Sequence, residues 1–156
     1  TSGQLGNGQV GQANDQQPVP QQVPLPGSAI DVTGGAEHSC ALLGGGQVYC
    51  WGDASWGQLG NGTYNSVYGP AVRRTTPVQV WTGSAYVAIA AGDFHTCGLT
   101  AAGEMDCWGH NEHGQLGVPQ AGMPQCYSGW WDYCSATPVR VAGAPTLASI
   151  AAGRFD

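Results

Sequence analysis

Apolar and polar positions alternate along this chain with a period of two, in short bursts punctuated by glycine. The segments "AIDVTGG" from Ala29 and "YVAIAAG" from Tyr86 are rich in β-branched and small residues. Each leads into a second burst, "HSCALL" or "HTCGLT", and then into a return burst that ends in Cys-Trp-Gly. Alternation of this kind in runs of this length predicts β-strands joined by tight hairpins.

The bursts recur, and the recurrence defines the organisation of the chain. "GQLG" stands at Gly3, Gly57 and Gly114; Pro20, Pro77 and Pro138 each precede a valine by three positions; Gly35, Gly92 and Gly153 each open Gly-x-x-His or its remnant. The step from Pro20 to His38 equals the step from Pro77 to His95, and the same step beyond Pro138 reaches Asp156. The frame from Pro20 to Gly60 is as long as the frame from Pro77 to Gly117. Only the piece between "GQLG" and the next proline changes, lengthening from 6–20 to 60–77 to 117–138. A constant frame with one elastic segment predicts a repeated structural unit that carries its loops on one side. The expected divisions within the single array are 1–19 (end of a preceding repeat), 20–76, 77–137 with an enlarged loop, and 138–156 (start of the next repeat).

Register follows from the hairpins. Setting Cys97 opposite Cys107 places Leu99 against Met105 and leaves the turn Ala101-Ala102-Gly103; setting Cys40 opposite Cys50 places Leu42 against Val48 and leaves Gly44-Gly45-Gly46. Three-residue hairpin turns favour a left-handed third residue, and glycine stands there in both copies. Counting outward from the closing pair puts each cysteine pair on a non-hydrogen-bonded rung, where side chains approach most closely and a cross-strand disulfide is within reach. Cys126 and Cys134 sit in the longest elastic segment. Six cysteines admit fifteen connectivities, and the repeat favours the three local pairs. An even, locally paired set predicts an oxidising, extracytoplasmic setting: periplasm, cell surface or secreted.

Composition narrows the function classes. With 26 glycines and 10 prolines among 156 residues the chain is poorly suited to helices, so an all-β fold is expected. Ten acids face four arginines and no lysine, a formal charge of −6, which leaves too few cations for a nucleic-acid surface. No apolar run is long enough to predict a membrane-spanning helix. The chain opens without Met or a signal peptide and closes inside a repeat, as expected for a piece of a longer array.

The string "AAGDFHTCGLTAAGEMDCWGHNEHGQLG", followed by a variable stretch and "TPVRV", resembles the repeat of the regulator-of-chromosome-condensation family from Gly3 to Asp156. The resemblance implies a β-propeller of four-stranded antiparallel blades, roughly seven in a complete ring, of which this chain would supply about two and a half. Cysteine-stapled copies without lysine look like the bacterial, exported branch of that family, whose secreted members include β-lactamase inhibitors, and unlike the nuclear nucleotide-exchange members. The missing blades would come from the same chain or another subunit, because an open array exposes an apolar flank.

Candidate chemistry is sparse. His38 and His95, two positions before Cys40 and Cys97, offer zinc-type ligands, but the repeated spacing fits disulfides, and the histidines read as hydrogen-bonding residues between blades. "GHNEHG" sets His110, Glu112 and His113 in what reads as a solvated turn; a metal or enzymatic site there is the alternative reading, with a structural surface domain as a third. "GQLGNG" lacks the lysine of a phosphate loop and reads as turn chemistry. Asn61-Gly62-Thr63 matches a glycosylation acceptor. Trp51 and Trp108, in register between copies, are expected in the core. No nucleophile stands with a base and an orienting group, so no enzyme activity, cofactor or metal is expected. The elastic segments carry Tyr64, Tyr68, Arg73 and Arg74, then Tyr127, Trp130, Trp131 and Tyr133, residue types that anchor protein interfaces. The expected function is therefore a non-catalytic exported scaffold that binds protein partners through its loops or serves as an accessory subunit of a larger assembly.

Overall fold

Eight strands form two sheets in the computed structural model, which describes residues 3–9, 19–65, 72–126 and 132–154. The first sheet holds β1 (Ala29–Gly34), β2 (His38–Leu43), β3 (Val48–Asp53) and β4 (Arg73–Gln79). The second holds β5 (Tyr86–Ala91), β6 (His95–Thr100), β7 (Met105–His110) and β8 (Cys134–Arg140). Chain order is spatial order in both, and every pairing is antiparallel. Among the described residues there is no helix.

The hairpin register is the one the alternation predicts. Cys40 faces Cys50 and Leu42 faces Val48; Cys97 faces Cys107 and Leu99 faces Met105. Gly46 and Gly103 close the two turns with φ of +83° and +77°, a region that side chains with a Cβ rarely adopt.

The tryptophans and prolines of the frame belong to one feature. Register slips between Cys50 and Gly52 against β4, and between Cys107 and Gly109 against β8. Trp51 and Trp108 sit at these irregular points, opposite the stretch of the fourth strand that contains Pro77 or Pro138. Proline lacks an N–H to donate to a ladder, and an irregular edge is where a sheet tolerates it. The frame's proline therefore lies inside the fourth strand, so each sheet begins after one proline and ends just past the next.

The sheets meet at their first strands. Ala91 N–H donates to Thr33 Oγ1 at 3.0 Å, and Ala36 N–H donates to the Asp93 carbonyl at 3.1 Å. Between them lies a core of Cys40, Leu42, Val48, Cys50, Leu59, Val80, Tyr86, Ile89 and Trp108. Equivalent positions show what this contact is worth. Ile89 of β5 is 6% exposed against the first sheet, whereas Val32, at the same place in β1, is 68% exposed. The outer flank of the first sheet thus presents the apolar surface that a neighbouring sheet covers elsewhere.

The "GQLG" segment clasps one sheet to the next. The Gln58 carbonyl accepts from Trp108 Nε1 at 3.0 Å and from Thr96 Oγ1 at 3.2 Å, while Leu59 is wholly buried. Gly60 lies on the Trp108 indole so closely that a Cβ there would overlap the ring. One frame earlier, the Gln4 carbonyl accepts from Trp51 Nε1 at 2.6 Å. The repeat is thus a unit whose end is folded onto its successor.

Of the expected start of the next repeat, 138–156, residues 141–154 add no strand of their own, and Leu147 N–H reaches the Gly103 carbonyl. One expectation changes. Arg73 and Arg74, expected in a loop, are the first two residues of β4 because they pair with Asp53 and Gly52.

Candidate functional site

One end of both sheets gathers the turns 35–37 and 92–94 with the elastic segments that follow β3 and β7. This follows from antiparallel order: hairpin turns 44–47 and 101–104 and the connection 80–85 must lie at the opposite end. The connections that differ in length between the two blades therefore leave β3 and β7 at the same end.

There the ends of β3 and β7 are built alike and finished differently. Asp53 N–H donates to the Glu37 carbonyl and His110 N–H to the Phe94 carbonyl, so residues 53 and 110 stand at matching places. Asp53 is satisfied locally: Oδ1 accepts from Ser55 N–H and from Gln58 Nε2, and Oδ2 lies 3.7 Å from Arg73 Nε. His110 is the last residue of β7 and 6% exposed, which corrects its reading as part of a solvated turn. Glu112 and His113 are exposed.

Around His110 the groups come from both sheets. The Trp56 ring, from the turn that follows β3 in the first blade, lies 4.6 Å from the imidazole, and Phe94 lies 6.5 Å from it. Gln115 presents its amide nitrogen to Nδ1 at 3.1 Å, while its Oε1 accepts from His113 N–H at 2.9 Å. Nε2 stands 3.5 Å from Asp132 Oδ1 and 3.7 Å from Glu112 Oε2 and makes no hydrogen bond. Burial holds the His110 imidazole below its ordinary value, against Asp132 and Glu112, which favour the protonated ring. Burial raises the Asp132 carboxyl, and the like charge of Glu112 adds to this.

Asp132 arrives there through the stapled segment. Cys126 is bonded to Cys134, Cys126 N–H donates to the Asp132 carbonyl at 2.8 Å, and Gln125 bridges to Tyr133. Asn111 N–H donates to the Tyr133 carbonyl at 2.7 Å. The other bonded pairs are Cys40–Cys50 and Cys97–Cys107, each with Cα atoms 4.1 Å apart, close to the separation of a non-hydrogen-bonded rung.

Tyr64 and Tyr133 are half-buried at this end, and Arg73 is exposed and faces Asp53. Tyr68, Tyr127, Trp130 and Trp131 lie outside the described residues. Asn61 is 7% exposed, its Oδ1 accepting from Thr63. His38 Nε2 lies 2.9 Å from Thr96 Oγ1, a bond between the sheets, and burial together with His95 lowers its pKa to about 4. Elsewhere, Asp106 accepts from Ser84, Tyr86 and Arg140; burial opposes its charge, but these hydrogen bonds outweigh that and hold the carboxyl below its ordinary value.

The sequence sets His110, Glu112 and His113 together but does not reveal Trp56, Phe94 and Asp132 as their neighbours. Superposing the two copies on Gly35 and Gly92 aligns Asp53 with His110 and Trp56 with His113, a signal that these positions share an end. Nothing local announces Asp132, which lies well beyond His110 in sequence, inside the elastic segment 117–138.

The Regulator of chromosome condensation (RCC1) repeat profile matches residues 1–42 and 45–99, and a second profile of the same repeat matches 29–58 and 86–115. Ultraviolet-B receptor UVR8 of Arabidopsis thaliana is 37% identical over 123 residues, covering 74% of this chain and 25% of the receptor. Probable E3 ubiquitin-protein ligase HERC6 of Homo sapiens is 31% identical over 162 residues, covering 97% of this chain and 14% of that protein. The chain thus spans a quarter or less of these relatives. Among solved structures, human WBSCR16 superposes with a TM-score of 0.73 at 21% identity, over 98% of this chain and 36% of that one. Prp20p from Saccharomyces cerevisiae gives 0.71 at 21% identity, over 90% and 32%. At such identity the likeness is one of fold, and it makes the two sheets neighbouring blades of a β-propeller. With the profile spanning more than half of its residues and the blades built as the repeat requires, the chain belongs to the Regulator of chromosome condensation (RCC1) repeat family.

Proposed function

We propose that this chain is a non-catalytic, exported propeller scaffold that binds protein partners through the loop-bearing end of its blades, alone or as an accessory subunit of a larger extracytoplasmic assembly. The observation that carries this reading is that the length-variable connections from β3 to β4 and from β7 to β8 leave and re-enter two otherwise constant blades at the same end. Binding surfaces concentrate on loops held by a rigid scaffold, and the segments here carry tyrosine, tryptophan and arginine, the residue types of interface anchors. A disulfide across residues 126–134 reduces the ordering cost of using that segment in a contact.

Relatives of the same fold work with proteins. Prp20p has binding properties toward Gsp1p and histones, and Kap60 binds yeast RCC1 (Prp20). The acidic balance of this chain, −6, argues for protein rather than nucleic-acid partners here. The likeness to HERC6 is confined to 14% of that protein and transfers no ligase chemistry. Three paired cysteine sets support an oxidising location.

Capture of partners from an extracytoplasmic extract tests this. Tyr64→Ala and the double change Trp130→Ala with Trp131→Ala are expected to lower capture at least about tenfold, as loss of anchor residues does. Equal capture by both variants would return these aromatics to a covering role within their own blades.

A further inference from the structure

The end of β7 holds a buried nitrogen aimed between two carboxylates. His110 Nε2 has no hydrogen-bond partner, and it stands 3.5 Å from Asp132 Oδ1 and 3.7 Å from Glu112 Oε2. All three ligand atoms lie within 4.8 Å of one another. Three donors so spaced enclose a point within about 2.5 Å of each, the range of ordinary metal–ligand bonds. The first blade supplies a contrast at the same place. Asp53 there spends both oxygens on Ser55, Gln58 and Arg73, leaving nothing for an ion.

We propose that His110, Glu112 and Asp132 bind one first-row divalent cation, with zinc the best-suited probe. An imidazole with two carboxylates is a borderline donor set that suits zinc and its neighbours, whereas calcium and magnesium prefer oxygen throughout. Two acids brought together beside a buried ring need a compensating positive charge, and Arg73, the cation at the matching end of the first blade, is engaged by Asp53. Three protein ligands leave a fourth position for water. The bound ion would join the Asp132 arm of the stapled segment to β7, fixing that segment at the loop-bearing end. The site does not depend on the partner-binding reading.

Gln115 sets the condition for binding. In the metal-free arrangement its amide nitrogen faces Nδ1, so the ring proton resides on Nε2. Coordination requires the Nε2 lone pair: the ring proton passes to Nδ1, the ring stays neutral, and the Gln115 amide turns over to offer Oε1. This turn gives up the bond from His113 N–H. A carboxylate at 115 would accept from Nδ1–H without that loss, as histidine ligands in metal sites commonly require.

The test is a zinc titration of the folded chain in competition with a chromophoric chelator, with circular dichroism on every variant. We expect one zinc per chain. Glu112→Gln and Asp132→Asn, which leave the buried ring in place, should each weaken it at least about tenfold, and Gln115→Glu should tighten it by about tenfold. His110→Asn should abolish it. Absence of saturable zinc overturns the proposal, as does zinc that binds the Glu112→Gln and Asp132→Asn variants as tightly as the unaltered chain, or a Gln115→Glu variant that binds more weakly.

Discussion

The indole of Trp108 in the second blade donates Nε1–H to the main-chain carbonyl of Gln58 in the first, at 3.0 Å. The donor is wholly buried, and its acceptor belongs to the segment whose Leu59 enters the same core. A repeat array is held by interfaces between neighbours, and this bond lies at the centre of one.

Trp108→Phe keeps most of the buried ring and removes the donor. It should destabilise the chain by about 1 to 2 kcal/mol, the cost of one buried hydrogen bond, while Trp108→Ala should cost about 3 to 5 kcal/mol by emptying the core. Urea melts of the unaltered chain and the two variants check this. Equal stabilities for the unaltered chain and Trp108→Phe would show that Thr96, which also donates to the Gln58 carbonyl, satisfies it alone.

The hairpin disulfides should be thermodynamically important. Cys40–Cys50 and Cys97–Cys107 each close a sequence separation of 10, for which chain entropy gives about 2 to 3 kcal/mol per bridge. Reduction, or Cys40→Ala with Cys50→Ala, should lower Tm by roughly 5 to 10 °C per bridge for a chain of this size. Labelling of intact protein with a thiol reagent should find no free thiol in protein taken from its native compartment.

Acid should weaken the inter-blade contact before it reaches the ordinary carboxylate range. His38, wholly enclosed beside His95, has its pKa lowered from 6.5 to about 4. A histidine depressed on folding leaves stability whole above its unfolded value. As pH falls from 6.5 toward 4 the unfolded chain takes up a proton that the buried ring refuses, and stability declines by up to about 3 kcal/mol. His110, also lowered, contributes in the same direction. His38→Asn should flatten the pH dependence in that window; a slope unchanged by the substitution would place the proton uptake elsewhere. Asp106, held low by Arg140, Ser84 and Tyr86, acts below this window, where its carboxylate is lost.

What the residues disclose in advance is what is local. The pairing of Cys97 with Cys107 and the left-handed Gly103 follow from one short stretch read with a period of two, and the same reading holds for Cys40, Cys50 and Gly46 in the preceding copy. The function of "GQLG" is visible only in part: its glycines read as turn residues, but the Gln58 carbonyl meets Trp108 across a separation of 50 in sequence. Arg73 reads as a loop residue because it lies in the elastic segment 60–77, yet the ladder to Asp53 draws it into β4. His110 reads as solvated because its neighbours Glu112 and His113 are; the burial comes from Trp56 of the other blade, which sequence proximity cannot supply.

The most direct test of the loop-bearing end as the working surface is site-specific photo-crosslinking. A photoreactive residue at position 113, exposed in the turn that follows β7, is compared with one at position 102, exposed in the hairpin turn at the opposite end. The account predicts a discrete protein adduct from position 113 and none from position 102. Adducts from position 102 alone, or equally from both, would contradict it.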